Sequence, residues 1–221
     1  MRFLLYISLL FLSVFIIGCG GGDSGAAISG GDTYSEIPDT SSGQIQYAVA
    51  KIASNDYSSA KSAFTMVINN NNATNFERNL ANTGISYCDL KLDNTDIDSN
   101  EYINSLVSII NTTDEVPLDT YVLLGAAYLA RNNPEDPENA VEVLEKIGGG
   151  PNNFNPNFTF NSELNLDISN AEVHALLAVA YFYNNQSNDA QVQINIANNL
   201  DPDGNYELVN QINTLLSIMG L

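Results

Sequence analysis

Few side chains in this sequence could act as a catalytic base or nucleophile. The chain has one histidine, His174, and two cysteines, Cys19 and Cys88. No Ser/His/Asp or Cys/His set can be assembled from them with support beyond composition. No phosphate loop, dinucleotide fingerprint or Cys/His metal spacing occurs. Cys88 lies in an apolar helical pattern with only Lys91 as a basic neighbour, which predicts a buried thiol rather than a reactive one.

An acidic segment raises the question of calcium binding. Residues Asp96 to Asn100 place oxygen ligands at the first, third and fifth positions of an EF-hand-like loop. The sixth position is Glu101, where the turn needs Gly, and the twelfth is Val107, where a bidentate Glu is needed. We therefore reject the motif. A solvated turn is the favoured interpretation, with a weak surface cation site as the alternative.

The N-terminus has the order of an export signal. Arg2 is followed by an uncharged run from Phe3 to Ile17, too short for a membrane-spanning helix of about 20 residues. The sequence Ile16-Ile17-Gly18 before Cys19 resembles a bacterial lipobox, which implies cleavage after residue 18 and lipid on Cys19. Because Gly20 follows, and not an Asp that would favour inner-membrane retention, the resemblance implies outer-membrane attachment, on a face left undetermined.

The composition excludes some classes of binding partner and indicates how the chain is divided into segments. The formal net charge is −19, although only 15% of residues are charged. Such a field repels DNA, RNA and anionic lipid headgroups, so a nucleic-acid partner is excluded. With 44% hydrophobic residues the chain can bury a core. After the signal peptide (1–18), we expect a flexible Gly- and Ser-rich tether (19–40) and one helical domain (41–221).

From residue 41 onward the apolar spacing is helical. Ser41 with Gln44, Thr74 with Glu77 and Ser169 with Glu172 have capping-box spacing. Pro117 suits a first helical turn. Breaks are predicted at residues 69–72, 93–98 and 132–137. A final amphipathic helix is predicted over residues 206–219.

The helices are predicted to come in pairs. The clearest pair spans residues 171–204. Its first helix has a large residue, a Leu-Ala pair and a Tyr, and its second has two Ala residues around a large apolar residue, followed by a closing Pro. These residues are His174, Leu177, Ala178, Tyr181, Ala190, Ile194, Ala197 and Pro202. This pattern resembles a tetratricopeptide (TPR) repeat. Weaker copies begin near residues 41, 77 and 118. The resemblance implies an all-α solenoid of about four helix pairs with a C-terminal capping helix, and it makes His174 a packed core residue.

Residues 148–168 interrupt the helical pattern. Gly148-Gly149-Gly150-Pro151 opens a loop, and apolar residues follow with partial alternation. One interpretation is an insertion folded back onto the repeats. The other is a functional loop, in which Phe154, Phe158 and Phe160 contribute to ligand binding.

The resemblance also implies a binding groove, because the first helix of each TPR pair lines a concave face. Transferred to this sequence, the ligand-contacting positions include Ile85, Cys88, Val122, Ala126, Leu129, Val179, Phe182 and Tyr183. The Lys and Asn residues that clamp a peptide carboxylate in the family are missing. The groove would be apolar with an acidic rim, suited to an apolar or amphipathic segment. The alternative is that these residues pack against adjacent helices and leave no groove.

Two functions from different classes follow. The favoured one is a membrane-anchored, non-catalytic scaffold or assembly factor of the bacterial cell envelope, with envelope proteins as partners and no cofactor or metal. The alternative is a periplasmic or surface protein that binds a small or extended ligand, such as a glycan or a lipid. An enzyme is the least favoured class, because the residues it needs are not found.

Overall fold

A computed structural model describes residues 37–92, 99–112 and 115–221, and these residues form helices and loops without strands. The fold over this part of the chain is therefore all-α, as predicted. No helix there is both long enough and apolar enough to cross a membrane. Cys19 and the acidic turn at residues 93–98 lie outside the described residues.

Nine α-helices occur in the described residues, at the positions expected for four pairs and a final helix. They are α1 (Ser41–Ala53), α2 (Tyr57–Asn69), α3 (Asn75–Leu92), α4 (Ser99–Thr112), α5 (Leu118–Arg131), α6 (Asp136–Glu145), α7 (Asn170–Tyr183), α8 (Ser187–Leu200) and α9 (Glu207–Met219). A short 3₁₀ turn, Lys146–Gly148, extends α6.

The helices form two compact units. The first contains the described residues up to Thr120 together with Ser162–Leu166, and the second contains Tyr121–Asn161 and Asp167–Leu221. In the first unit α2 packs on α1 and α3, and α3 packs on α4. In the second unit α7 packs on α6, α8 and α9.

Capping boxes set two of the helix starts as the sequence predicts. Glu77 N donates to Thr74 Oγ1 while Thr74 N donates to Glu77 Oε2. Ser169 and Glu172 make the same reciprocal pair before α7. The third prediction, Ser41 with Gln44, is wrong. Thr40 caps α1 instead, and its hydroxyl accepts from Gly43 N, because Ser41 is already the first helical residue.

Three pairs share one turn geometry after their first helix. Asn55, Asn132 and Asn185 all have left-handed backbone conformations, with φ of 59°, 56° and 59°. Each Asn lies seven residues after the small residue of its pair, which is Ala48, Gly125 or Ala178. Asn tolerates the left-handed region better than other residues with a Cβ, so it ends these helices without a Gly.

The turns of the first and fourth pairs match in their hydrogen bonds as well. Asp56 N donates to Lys51 O, and Gln186 N donates to Tyr181 O at the equivalent position. The second pair differs, because α3 continues to Leu92 past the position where the others turn. The turns that follow α1 and α7 therefore share one backbone conformation.

Residues 149–168 are irregular and fold against the helices. Phe158, Phe160, Leu164 and Leu166 are all buried. The segment therefore contributes side chains to the core, as the first of the two interpretations expects.

Candidate functional site

Five of the eight residues predicted to line a groove are buried. Cys88, Val122, Ala126, Leu129 and Val179 are each at most 5% exposed. Side chains buried to this extent pack between helices and do not form the wall of an open groove. For these five residues the structure agrees with the alternative interpretation of the sequence, in which they pack against adjacent helices and leave no groove.

The other three predicted residues keep part of their surface in solvent. Ile85 lies on α3 in the first unit, and Phe182 and Tyr183 end α7 in the second; all three are half-buried. We expect any partner contact among the eight to involve these side chains. Ile85 and Cys88 share a unit, and the remaining six belong to the other unit.

Phe182 and Tyr183 belong to a small apolar cluster at the ends of α7 and α9. Their rings meet edge to face, with centroids 5.9 Å apart and an interplanar angle of 74°. The Tyr183 hydroxyl lies 3.9 Å from the sulfur of Met219. Burial raises the pKa of Tyr183 to about 12, so it stays a neutral phenol at physiological pH. We call Phe182, Tyr183, Ile218 and Met219 the α7–α9 surface.

Met219 and Ile218, its neighbour in the sequence, are both exposed at the end of α9. Ile218 is 65% exposed, and it is the most exposed of the large apolar side chains in the described residues. The amphipathic pattern of residues 206–219 predicts a capping helix and does not indicate that Ile218 and Met219 are exposed. Two consecutive large apolar residues at the C-terminal end of α9 were the available signal.

His174 is a core residue, as predicted. Its ring stacks on Phe158, with centroids 4.1 Å apart. Its Nδ1 lies 2.6 Å from Gln193 Oε1, and its Nε2 lies 3.2 Å from Phe158 O. Burial lowers the pKa of His174, which favours a neutral ring at pH 7. Nδ1 contacts Gln193 on α8 and Nε2 contacts the backbone of Phe158, so the buried ring joins α7 to α8 and to the 149–161 segment.

Asp119 is a second buried titratable group with a structural role. Its carboxylate accepts hydrogen bonds from Ser162 Oγ, from Glu163 N at 2.7 Å and from Leu164 N at 3.2 Å. Burial, followed by the neighbouring Glu163, raises the pKa of Asp119 to about 7. The carboxylate ties residues 162–164 to the first turn of α5 within the first unit.

Cys88 is a free and buried thiol. Burial raises its pKa to about 12, so the thiolate needed for nucleophilic chemistry is not formed at pH 7. In the described residues no group of three or more His, Cys, Asp or Glu is placed to hold a metal ion.

Acidic side chains dominate the charge of the chain because 26 Asp and Glu residues stand against seven Lys and Arg residues. Among the described residues, five of the six Lys and Arg side chains contact the protein itself. They are Lys51 with Asp56, Lys61 with Asp89, Arg78 with backbone carbonyls near the end of α2, Lys91 with the Tyr87 ring and Arg131 with Asp136. Glu138 and Glu142 on α6 are exposed, and so is Glu135, which directly precedes the helix.

Comparisons with protein-family models, with curated proteins and with solved structures find no significant match to this chain. Inference about function therefore rests on the residues and their packing.

Proposed function

We propose that this chain is an exported protein that is anchored by lipid on Cys19 to the outer membrane of a bacterial envelope, on its periplasmic or outer face. In this proposal the helical part binds another envelope protein and acts as a scaffold or assembly factor. Binding, rather than catalysis, is its function. The α7–α9 surface is the observation that carries the proposal.

The repeated turn geometry supports a tetratricopeptide-like architecture for the helical part. Three pairs turn at an Asn in the left-handed region, each seven residues after a small residue. A stack of similar helix pairs presents an extended surface, which suits binding to an elongated partner. We propose on this basis that the four pairs form a TPR-like array closed by α9.

The chemistry of the α7–α9 surface defines its partner. Phe182 and Tyr183 offer aromatic area, and Ile218 with Met219 adds flexible aliphatic and thioether contacts. The chain as a whole is acidic, with a formal net charge of −19. The fitting partner is an apolar or amphipathic protein segment with basic flanks. Long-range attraction would speed its association at low ionic strength.

Truncation of the aromatic side chains tests this proposal. Aromatic anchors often dominate binding energy, and removing one at the centre of an interface costs about 2 kcal/mol or more. We expect Phe182→Ala or Tyr183→Ala to weaken partner binding at least tenfold with unchanged helicity. The partner is first identified by crosslinking in intact cells, and the affinity is then measured with the purified pair.

Phe76→Ala is the matched control, because Phe76 is also an exposed aromatic residue but starts α3 in the first unit. It should leave the affinity unchanged. Normal binding by both Phe182→Ala and Tyr183→Ala, at unchanged circular dichroism, would remove the α7–α9 surface from the proposal. Loss of helicity in both would instead assign the two rings to the core.

Lipid attachment has its own test. We expect mass spectrometry of the mature protein to find an N-terminal Cys19 carrying acyl chains, and we expect Cys19→Ala to move the protein from the membrane to the soluble fraction. A mature protein that begins at Met1, or a Cys19→Ala variant that stays membrane-bound, would contradict the anchor while leaving the α7–α9 surface untested by that result.

A further inference from the structure

Helix α8 carries an apolar stripe that faces solvent. Val192, Ile196 and Leu200 follow one another at spacings of four residues, so they lie along one side of the helix. Val192 and Leu200 are each 45% exposed, and Ile196 is half-buried. The core of α8 lies on a different side, at the buried residues Ala190, Ile194 and Ala197. We call Val192, Ile196 and Leu200 the α8 stripe.

The fold itself does not require an apolar stripe at these positions. The matching turns at Asn55 and Asn185 align α2 with α8, residue by residue. The positions of Val192, Ile196 and Leu200 correspond in the first pair to Ser62, Met66 and Asn70. Two of these three are polar, and α2 nevertheless packs on α1 and α3. The apolar residues of α8 are therefore an addition to what the pair needs for packing.

Acidic side chains stand at both ends of the α8 stripe. Asp189 is exposed about one turn before Val192, and Asp203 is exposed in the turn that follows Leu200. The side chains beside the stripe include the exposed amides of Asn188, Asn195 and Asn199. From Asp189 to Leu200 the helix rises about 16 Å, or three turns. The surface is thus a strip of apolar contacts bounded by negative charge.

We propose that the α8 stripe binds an amphipathic helix of a partner protein, with apolar side chains at spacings of three and four residues and with Lys or Arg at both ends. The apolar side chains would pack along Val192, Ile196 and Leu200, and the basic ends would meet Asp189 and Asp203. A formal net charge of −19 disfavours both a second copy of this chain and an anionic lipid surface as the occupant.

This inference goes beyond the proposed function, because it shares no residue with the α7–α9 surface. A partner could contact either surface alone. If it contacts both, the two sites on one chain would raise the overall affinity through effective concentration.

The test uses the purified full-length chain and a synthetic helical peptide of about 16 residues with Leu at three positions spaced by four and Lys at both ends. We expect saturable binding by fluorescence anisotropy, with amide chemical-shift changes centred on α8. The double variant Val192→Ser/Leu200→Asn introduces the residues that the first pair has at the same positions. It should lower the affinity at least tenfold without loss of helicity.

Two controls distinguish binding at the α8 stripe from nonspecific hydrophobic binding. Met66→Ser removes an exposed apolar side chain of α2 and should leave the affinity unchanged. A peptide with Glu in place of Lys should bind at least tenfold more weakly, and Asp189→Asn/Asp203→Asn should reduce that difference. Absence of saturable binding, or equal binding by the double variant, would overturn the proposal. So would concentration-dependent self-association that the double variant abolishes, since the occupant would then be a second copy.

Discussion

Replacement of Asp136 by Ala is expected to lower the free energy of unfolding by about 3 kcal/mol, because it removes a fully buried carboxylate that accepts three hydrogen bonds. Arg131 donates to this carboxylate through Nε at 3.0 Å and Nη2 at 2.5 Å, and Asn133 N donates at 2.6 Å. Asp136 has no exposed side-chain surface, and Arg131 is 20% exposed. Urea denaturation followed by circular dichroism measures the change.

The chain supplies a matched control in an exposed ion pair. Lys61 and Asp89 form a salt bridge with side chains 42% and 45% exposed. Exposed pairs contribute about 0–1 kcal/mol, so Asp89→Ala should cost no more than that. Asp136→Asn should fall between the two variants, because its single amide oxygen can still accept the two hydrogen bonds, from Arg131 Nε and Asn133 N, that Oδ2 accepts in the native protein. A cost below 1 kcal/mol for Asp136→Ala would mean that solvent reaches Arg131 and replaces the carboxylate.

The periodicity of the sequence predicted the helices well, since apolar spacing and capping boxes are local signals. The breaks near residues 69–72 and 132–135 occur where Asn- and Pro-rich segments indicate them. The error at Ser41 shows the limit of such signals. Thr40 and Ser41 are both good N-cap residues, and the choice between them is made by the surrounding packing, which buries Gln44.

Side-chain partners distant in sequence could not be predicted. Asp119 and Ser162 are 43 residues apart, and His174 and Gln193 are 19 apart. Nothing in the spacing of either pair indicates the contact. The first depends on how the irregular segment folds onto α5, and the second depends on how α7 packs on α8. Burial of His174 was predictable only through its place in an apolar helix.

The predicted groove illustrates the same limit for function. A family pattern assigns residues to a concave face by their position in the first helix, but whether that face is open depends on how closely neighbouring helices pack. Val122 and Val179 have no exposed surface. The partly exposed Phe182 and Tyr183 come later in their helix, at its C-terminal end, where the packing ends. The ends and outer sides of helices, rather than their middles, therefore supply the candidate contacts in this chain.

The second large expected effect is a loss of stability on substitution of Gly84, where two helices approach each other closely. A Cβ added at this position would lie 2.3 Å from Cε2 of Phe64, on the neighbouring helix α2. The ring of Phe64 is fully buried, so it has no free space into which it can move. Overpacking of this kind costs about 1–3 kcal/mol. We expect Gly84→Ala to destabilise the first unit by about 2 kcal/mol in urea denaturation.

The sign of this change is informative because the helix itself favours the opposite result. In an exposed helix Gly→Ala stabilises by about 1 kcal/mol. A double-mutant cycle with Phe64→Leu isolates the contact. Phe64→Leu alone should lose stability through the cavity it leaves, whereas the double variant should lose less than the sum of the two single changes. Gly125→Ala repeats the test in the second unit, where the added Cβ would lie 2.6 Å from Leu144 Cγ. Stabilisation by both Ala substitutions would mean that the helices can separate without cost, and that close packing does not explain these two glycines.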